Sequence, residues 1–263
     1  MLIEQREGVP SYEIMEYKPQ QCEYVLLIPV INEGAKIKSE LERAQNAGIS
    51  KFVDIIILDG GSSDGSVEEA LLKSLDINTL LIKKSAGKQG TQLRMGFDFI
   101  SKRNYKGIIT IDGNNKDSIE NVPDFIEKLK EGFDYIQGSR FIKGGRAINT
   151  PLSRLIAVKL LHAPIISLKA HHRFTDTTNN FRGYSVRYIN DNRVNPLRDI
   201  FVSYELLAYL STRATRIGYT ATEIPVTREY PINVKTPTKI SPIKGNYELL
   251  KILFLNLFGH YDP

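Results

Sequence analysis

An apolar run over residues 52–58 leads into Asp59-Gly60-Gly61-Ser62-Ser63-Asp64-Gly65-Ser66, and an amphipathic segment begins at Val67. A strand that ends on an acid and two glycines and then gives way to a helix is a βα unit. The acid falls at the carboxyl end of the strand, where open α/β sheets bind their ligands. The glycines permit a sharp turn, and Ser63 or Asp64 can cap the helix that follows. Capping alone would explain these residues, so their functional weight depends on the rest of the chain.

The same alternation recurs. Strands are expected over 24–30, 79–82, 107–111 and 133–137, and helices over 33–47, 67–75, 88–101 and 119–130, with Pro123 tolerated in a first turn. Strands alternating with helices imply parallel crossovers and an α/β fold with a doubly wound, mostly parallel central sheet and helices on both faces. Beyond about residue 140 the pattern changes to an apolar helix over 152–163, a polar loop over 171–182, a helix over 202–217 and a strand over 222–227. This part reads as a region laid over the sheet on the acceptor side. The chain therefore divides into an N-terminal extension (1–23), a nucleotide-binding half (24–140) and an acceptor-side region of the same domain (141–263).

The 263 residues, 41% hydrophobic, suffice for one large domain. Cys22 is the single cysteine, which rules out an internal disulfide and suits a reducing, cytoplasmic setting. A formal charge of +5 favours anionic partners, namely nucleotide phosphates, lipid phosphates or an acidic membrane surface. No nucleic-acid-binding motif is present, and nucleic acid is not expected as a partner. Residues 1–21 lack the apolar run of a signal peptide, and no stretch reaches the roughly 20 apolar residues needed to cross a bilayer. The apolar stretch 247–258 is an amphipathic helix suited to the membrane interface or to packing on the sheet.

Asp112-Gly113-Asn114 follows the strand Ile108-Ile109-Thr110-Ile111, so Asp112 should emerge at the same sheet edge as Asp59. A hard divalent ion, Mg2+ or Mn2+, is bound by oxygen ligands and phosphates together, and Asp112 and Asn114 are the candidate ligands. Asp117 and Glu120 serve equally well as acids at a helix N-terminus. Lys88 opens a helix at a glycine turn, where amides hold anions. Arg140 ends a strand, Arg182 closes the polar cluster 176–182, and arginine grips phosphate bidentately. The four histidines lack zinc spacing and read as surface residues. No Gly-x-Ser-x-Gly elbow is present.

Taken in order, Ile28-Pro29-Val30-Ile31-Asn32-Glu33, Asp59 to Gly65, Gly87-Lys88-Gln89-Gly90, Asp112-Gly113-Asn114, Gly138-Ser139-Arg140, Asp176 to Arg182 and Glu223-Ile224-Pro225-Val226 resemble family 2 glycosyltransferases of the GT-A fold, in the dolichyl-phosphate mannose synthase-like branch. The resemblance spans residues 24–258. It implies that Pro29, Asn32, Glu33 and Asp59 line the nucleoside pocket, that Lys88 lies near the nucleotide, and that Asp112 and Asn114 hold metal and diphosphate. Arg140 and Arg182 would face donor or acceptor phosphates, and Arg228 and Lys239 an acceptor phosphate. Two residues depart from the family pattern. Asn114 replaces an acid, and Lys116 stands where relatives carry a metal-binding glutamine, which puts metal dependence in question.

The implied activity is inverting transfer of a sugar from a nucleoside diphosphate sugar to a polyprenyl phosphate or a growing cell-surface glycan. A phosphate acceptor is already ionised, whereas a hydroxyl needs a base, for which Asp176 and Glu205 are the candidates. Peripheral contact with the anionic inner face of the cell membrane is a further expectation. The alternatives are an inactive nucleotide-binding scaffold and a sugar-phosphate nucleotidyltransferase. The latter would carry a glycine-rich basic loop after the first strand.

Overall fold

In the computed structural model, which describes residues 6–232 and 244–263, the chain forms β1 (Tyr12–Glu16), β2 (Tyr24–Val30), α1 (Ala35–Asn46), β3 (Asp54–Asp59), α2 (Glu69–Ser74), β4 (Thr79–Lys83), α3 (Gln89–Ser101) and β5 (Gly107–Thr110). There follow α4 (Val122–Lys130), β6 (Tyr135–Ser139), β7 (Arg146–Ile148), α5 (Leu152–Ala157), α6 (Ala163–Ala170), β8 (Arg182–Ser185), α7 (Val186–Ile189), α8 (Glu205–Arg216), β9 (Ala221–Pro225), β10 (Thr227–Glu229) and α9 (Lys244–Leu257). Eight strands make one sheet in the order β1-β4-β3-β2-β5-β8-β6-β9, and β10 and β7 form a separate two-stranded ribbon.

Side chains alternate across a strand, and this splits the core in two. Val25, Leu27, Ile56 and Leu58 pack with Leu93 and Phe97 of α3 and Leu206 and Leu210 of α8. Leu26, Ile28, Ile55 and Ile57 point the other way, onto Ile37 and Leu41 of α1, Leu72 of α2 and Phe125 of α4. Both faces are covered, which is why the central strands read as continuous apolar runs rather than alternating ones.

The expected alternation is present from β2 to β6. β3 is parallel to β2 and β4, and β2 to β5. Three features differ from the sequence reading. The segment 1–23, set apart as an extension, supplies β1, an antiparallel edge strand on β4. The loop expected over 171–182 ends in β8, which runs antiparallel between β5 and β6. With β9 parallel to β6, the second half thus completes the sheet as well as covering it. The helix expected over 152–163 continues to Ala170 through a π-helical turn at Val158–His162. Of the histidines, His162 and His172 are half-buried rather than on the surface.

α3 starts hard against the loop that precedes α8. A Cβ on Gly90 would lie 2.5 Å from the Ser203 carbonyl oxygen and 2.8 Å from that of Phe201. The backbone amides of Lys88 and Thr91 both donate to the Val202 carbonyl across this contact. Only glycine allows the approach, and the approach sets where the helix N-terminus meets the sheet edge. Gly90→Ala should therefore cost about 1–3 kcal/mol from overpacking, seen as a lowered melting temperature in thermal denaturation.

Candidate active site

The parallel register decides which residues meet. Val30 lies opposite Asp59, and Leu27 opposite Thr110, so β2, β3 and β5 end together and Asp59 and Asp112 emerge at one edge, as expected. Gln92 of α3 donates through one amide nitrogen to the carbonyls of Val30 (2.8 Å) and Leu58 (2.7 Å). One turn earlier, Gln89 donates to Asp112 Oδ1 at 2.9 Å. The start of α3 thereby ties the three strand ends into one unit. Because β8 reverses between them, β6 runs parallel to β5, and Arg140 follows β6 at the same edge.

On the nucleoside side, Asp59 is buried and accepts from the backbone amides of Gly61 (2.9 Å) and Ser62 (3.0 Å). Asn32 holds a positive φ of 48°, accepts from the Ser63 amide at 2.9 Å and donates its own amide to Ser62 Oγ at 3.0 Å. Ser66 Oγ accepts from the amides of Glu33 and Gly34, and Glu33 pairs with Lys36 at 3.1 Å. The loops after β2 and β3 are thus laced together, with Pro29 in the strand beneath. Lys88 lies exposed at the mouth.

Beyond Asp112 stands a group of cations. The Arg228 guanidinium donates through Nη1 to Asp117 Oδ2 and lies 3.3 Å through Nη2 from Asp112 Oδ2. Two backbone hydrogen bonds hold it there by bridging Asp117 to Arg228: the Ser118 amide donates to the Thr227 carbonyl, and the Glu229 amide donates to that of Lys116. Tyr230 is the hub of this group. Arg154 Nη1 donates to its hydroxyl at 3.0 Å, and Lys116, Arg154 and Arg228 all lie within 5.2 to 5.8 Å of its ring. Burial would raise the Tyr230 phenol, but Arg228 and Arg154 outweigh it and lower it. Burial, then the Arg228 charge, pulls the Lys116 ammonium below its usual value. Neither Tyr230 nor Arg154 was picked out from the sequence as a site residue.

The remaining expected residues take other positions. Arg140 and Asp176 form a buried bidentate pair, Nε to Oδ2 at 2.6 Å and Nη2 to Oδ1 at 2.9 Å. Burial works against the Arg140 charge, and Asp176 more than offsets it. Asp176 also accepts from Asn179 and has no exposed surface, so it positions Arg140 rather than receiving a proton from a substrate. Arg182, expected to face a phosphate, is buried in the core. Its guanidinium donates to the carbonyls of Asn179, Leu207 and Thr177 and to Ser211 Oγ. Glu205 accepts from the Ser203 backbone amide. Glu120 lies outside the site, paired with Arg43 of α1. Lys239 falls outside the described residues.

The sequence profile of glycosyl transferase family 2 matches residues 25–193, and the chain belongs to that family. The polyprenol monophosphomannose synthase of Mycolicibacterium smegmatis is 23% identical over 209 residues, spanning 77% of this chain and 76% of the relative. The undecaprenyl-phosphate mannosyltransferase of Micrococcus luteus is 25% identical over 210 residues, spanning 76% and 81%. Among solved structures, glucosyl-3-phosphoglycerate synthase from Mycobacterium tuberculosis, crystallised with Mn2+, UDP and phosphoglyceric acid, superposes with a TM-score of 0.58 at 15% identity, covering 90% of this chain and 77% of that one. Mannosyl-3-phosphoglycerate synthase from Rubrobacter xylanophilus gives 0.56 at 9% identity, covering 88% and 70%. These two likenesses establish the GT-A fold.

The Mn2+ in the first of these neighbours raises the question of fit in this chain. Here Asp112 already accepts from Gln89 on one oxygen and faces Arg228 on the other. Asn114 is neutral, and its amide nitrogen, not its oxygen, is the atom 3.5 Å from Asp112 Oδ2. Its Oδ1 is buried without a partner, so one neutral donor is available. No group of three His, Cys, Asp or Glu among the described residues is arranged to hold a metal ion. The residues do not fit a site in which the ion is the principal anchor of the diphosphate.

Glu40 of α1 supports the Asp112 loop from below. Its Oε2 accepts from the Asn115 amide at 2.8 Å, its Oε1 has no partner, and burial pushes its carboxyl well above the usual range. A raised folded-state pKa means the folded state holds the proton more tightly than the unfolded state. The associated stability is present at low pH and is lost as pH rises from the ordinary glutamate range through the folded pKa. Glu40→Gln keeps the acceptor and stays neutral. The variant should melt higher than wild type, with the difference larger at about pH 8 than at about pH 5 in calorimetry.

Proposed function

We propose that this glycosyltransferase moves a sugar from a nucleoside diphosphate sugar to a polyprenyl phosphate, with inversion at the anomeric carbon, while seated on the cytoplasmic face of the membrane. One observation carries the choice of acceptor. Of the two carboxylates that the sequence offers as a base, Asp176 is buried against Arg140 and Glu205, half-buried, accepts from the Ser203 amide, while cations gather beside Asp112. A hydroxyl acceptor needs a proton taken from it, whereas a phosphate monoester does not. The names of the two curated relatives support the same acceptor class.

In this reading the loops carrying Asn32, Glu33 and Asp59 seat the nucleoside, and Lys88 covers the nucleotide from the mouth. An acceptor phosphate oxygen attacks the anomeric carbon, and its new bond forms as the bond to the β-phosphate oxygen breaks. The nucleoside diphosphate leaves with the electron pair. Arg228, Lys116 and Arg154 lie where the growing negative charge needs stabilising. Arg228, expected at the acceptor phosphate, reaches Asp112 and so stands on the donor side as well. Lys239 remains a candidate for the acceptor phosphate.

Membrane contact rests on an apolar face. Leu152, Ile156, Leu160, Leu161 and Leu168 are exposed along α5, the π-helical turn after it and α6, and Tyr247, Phe254 and Phe258 along and just past α9, which packs beside α6. Leu160 is 70% exposed and Phe258 81%. Lys159 and Lys251 lie exposed on the same helices. Exposed apolar side chains with lysines on the same helices suit an anionic bilayer surface. No helix among the described residues is long and apolar enough to cross a membrane.

Two measurements test the reading. With labelled nucleotide sugars and a polyprenyl phosphate, Glu205→Gln should keep turnover within about threefold, whereas loss of a true general base costs roughly 100-fold or more. A 100-fold loss, or product only with a sugar hydroxyl, would overturn the acceptor assignment. The protein should also sediment with anionic vesicles at low salt, and the pair Leu160→Asp and Phe258→Asp should abolish sedimentation without changing the melting temperature. Wild type staying in the supernatant would argue for a soluble acceptor.

A further inference from the structure

We propose that nucleoside diphosphate binding in this chain does not depend on a divalent metal, because the Arg228 guanidinium, with Lys116 and Arg154 beside it, occupies the place between carboxylate and diphosphate that a metal ion would otherwise take. The proposal rests on the transferase reading above, and the experiment below separates the two.

Position comes first. Arg228 spans two acids, Asp117 through Nη1 and Asp112 through Nη2, as a bridging cation would. Asp117 is fully buried, and its Oδ1 has no other partner. The pairing of residues 116–118 with β10 fixes the guanidinium from the backbone, so it is in place before any ligand arrives. An arginine has five N–H donors in a planar fork, and two are spent on the acids through Nη1 and Nη2. The Tyr230 hydroxyl is a further partner of the guanidinium, and the donors left over are available to phosphate oxygens, whose geometry the fork matches.

Charge comes second. Asp112 and Asp117 bring two negative charges, while Arg228, Lys116 and Arg154 bring three positive ones around Tyr230. A dication entering this space would have to separate Arg228 from Asp112 and then sit beside three like charges. Its protein ligands would be one carboxylate and the neutral Asn114. A diphosphate entering the same space meets three cations against two carboxylates, a net attraction. The two departures from the family pattern, Asn114 for an acid and Lys116 for a glutamine, both move the balance in this direction.

The test uses the full chain stripped with EDTA. UDP, GDP, CDP and dTDP are titrated by calorimetry in EDTA and again with Mn2+, and a water-soluble isoprenyl phosphate is titrated under the same two conditions. At least one nucleotide should bind with a Kd that changes less than about threefold between conditions. Electron paramagnetic resonance should show no more Mn2+ taken up by protein plus nucleotide than by nucleotide alone. Removing Arg228 would strand Asp117 in the core and confuse binding with unfolding, so Lys116 is the variant of choice. Lys116→Gln should weaken metal-free nucleotide binding about tenfold. Lys116→Gln with Asn114→Asp should create a requirement for Mn2+, with affinity rising about tenfold when it is added.

A wild-type affinity that falls tenfold or more in EDTA overturns this proposal and leaves the transferase reading standing. So does a Lys116→Gln variant that loses isoprenyl phosphate but keeps nucleotide, since the cations would then serve the acceptor. Failure of all four nucleotides to bind in either condition removes both.

Discussion

Arg228 held between Asp117 and Asp112 is the contact on which the site depends. Asp117 is buried, and an unpaired carboxylate there would be costly, on the order of 3–5 kcal/mol when one partner of a buried pair is removed. The guanidinium offsets part of that cost, burial still holding the Asp117 carboxyl above its usual range, and it joins two parts of the chain 111 residues apart, the loop after β5 and strand β10. The ribbon of β7 and β10 lies outside the main sheet, and this contact and the backbone bonds of residues 116–118 to β10 hold it against the nucleotide-binding half. The site is therefore complete only when the last third of the chain has docked. The same contact that fixes the fold there places positive charge beside Asp112.

Much of this was legible before the structure. The βα alternation gave the parallel strands, and parallel strands that start together in register must also end together, so Asp59 and Asp112 had to share an edge. What could not be read was which polar residues turn inward. Arg182 and Arg140 look alike in sequence, each next to a strand and a polar cluster. Arg182 sits at the start of an antiparallel strand and spends its donors on core carbonyls, and Arg140 follows the end of a parallel strand at the site edge, with its guanidinium buried against Asp176. The direction of β8 decides between them, and direction leaves no trace in a four-residue segment. Tyr230 went unnoticed for a related reason. Its role comes from three cations brought by three separate segments, and no local pattern marks it.

The engaged carboxylates give the site its chemical character. Asp176 satisfies Arg140, and Glu223 accepts from the amides of Thr175 and Asp176, so the polar cluster after α6 is a scaffold of hydrogen bonds rather than a set of free acids. Buried polar groups must find partners, and here they find each other. The surplus at the sheet edge is cationic. A site poor in available bases and rich in cations favours a substrate that arrives already ionised.

That surplus also bears on the number of phosphates the site must hold. A donor diphosphate alone would be balanced by two or three cations. An acceptor phosphate brought within bonding distance of the same anomeric carbon adds further negative charge that would repel the donor. Binding both together requires more positive charge than either needs, fixed in advance so that no reorganisation is needed at the moment of transfer. Arg228 and Arg154, anchored by Asp117 and the Tyr230 hydroxyl, meet that requirement, and Lys116 stands beside them. The apolar face along α5, α6 and α9 belongs to the same region of the chain as Arg154. A lipid-borne phosphate would approach from a surface that carries its own negative charge, where a preformed cationic site draws the head group in while the apolar helices accommodate the membrane beside it.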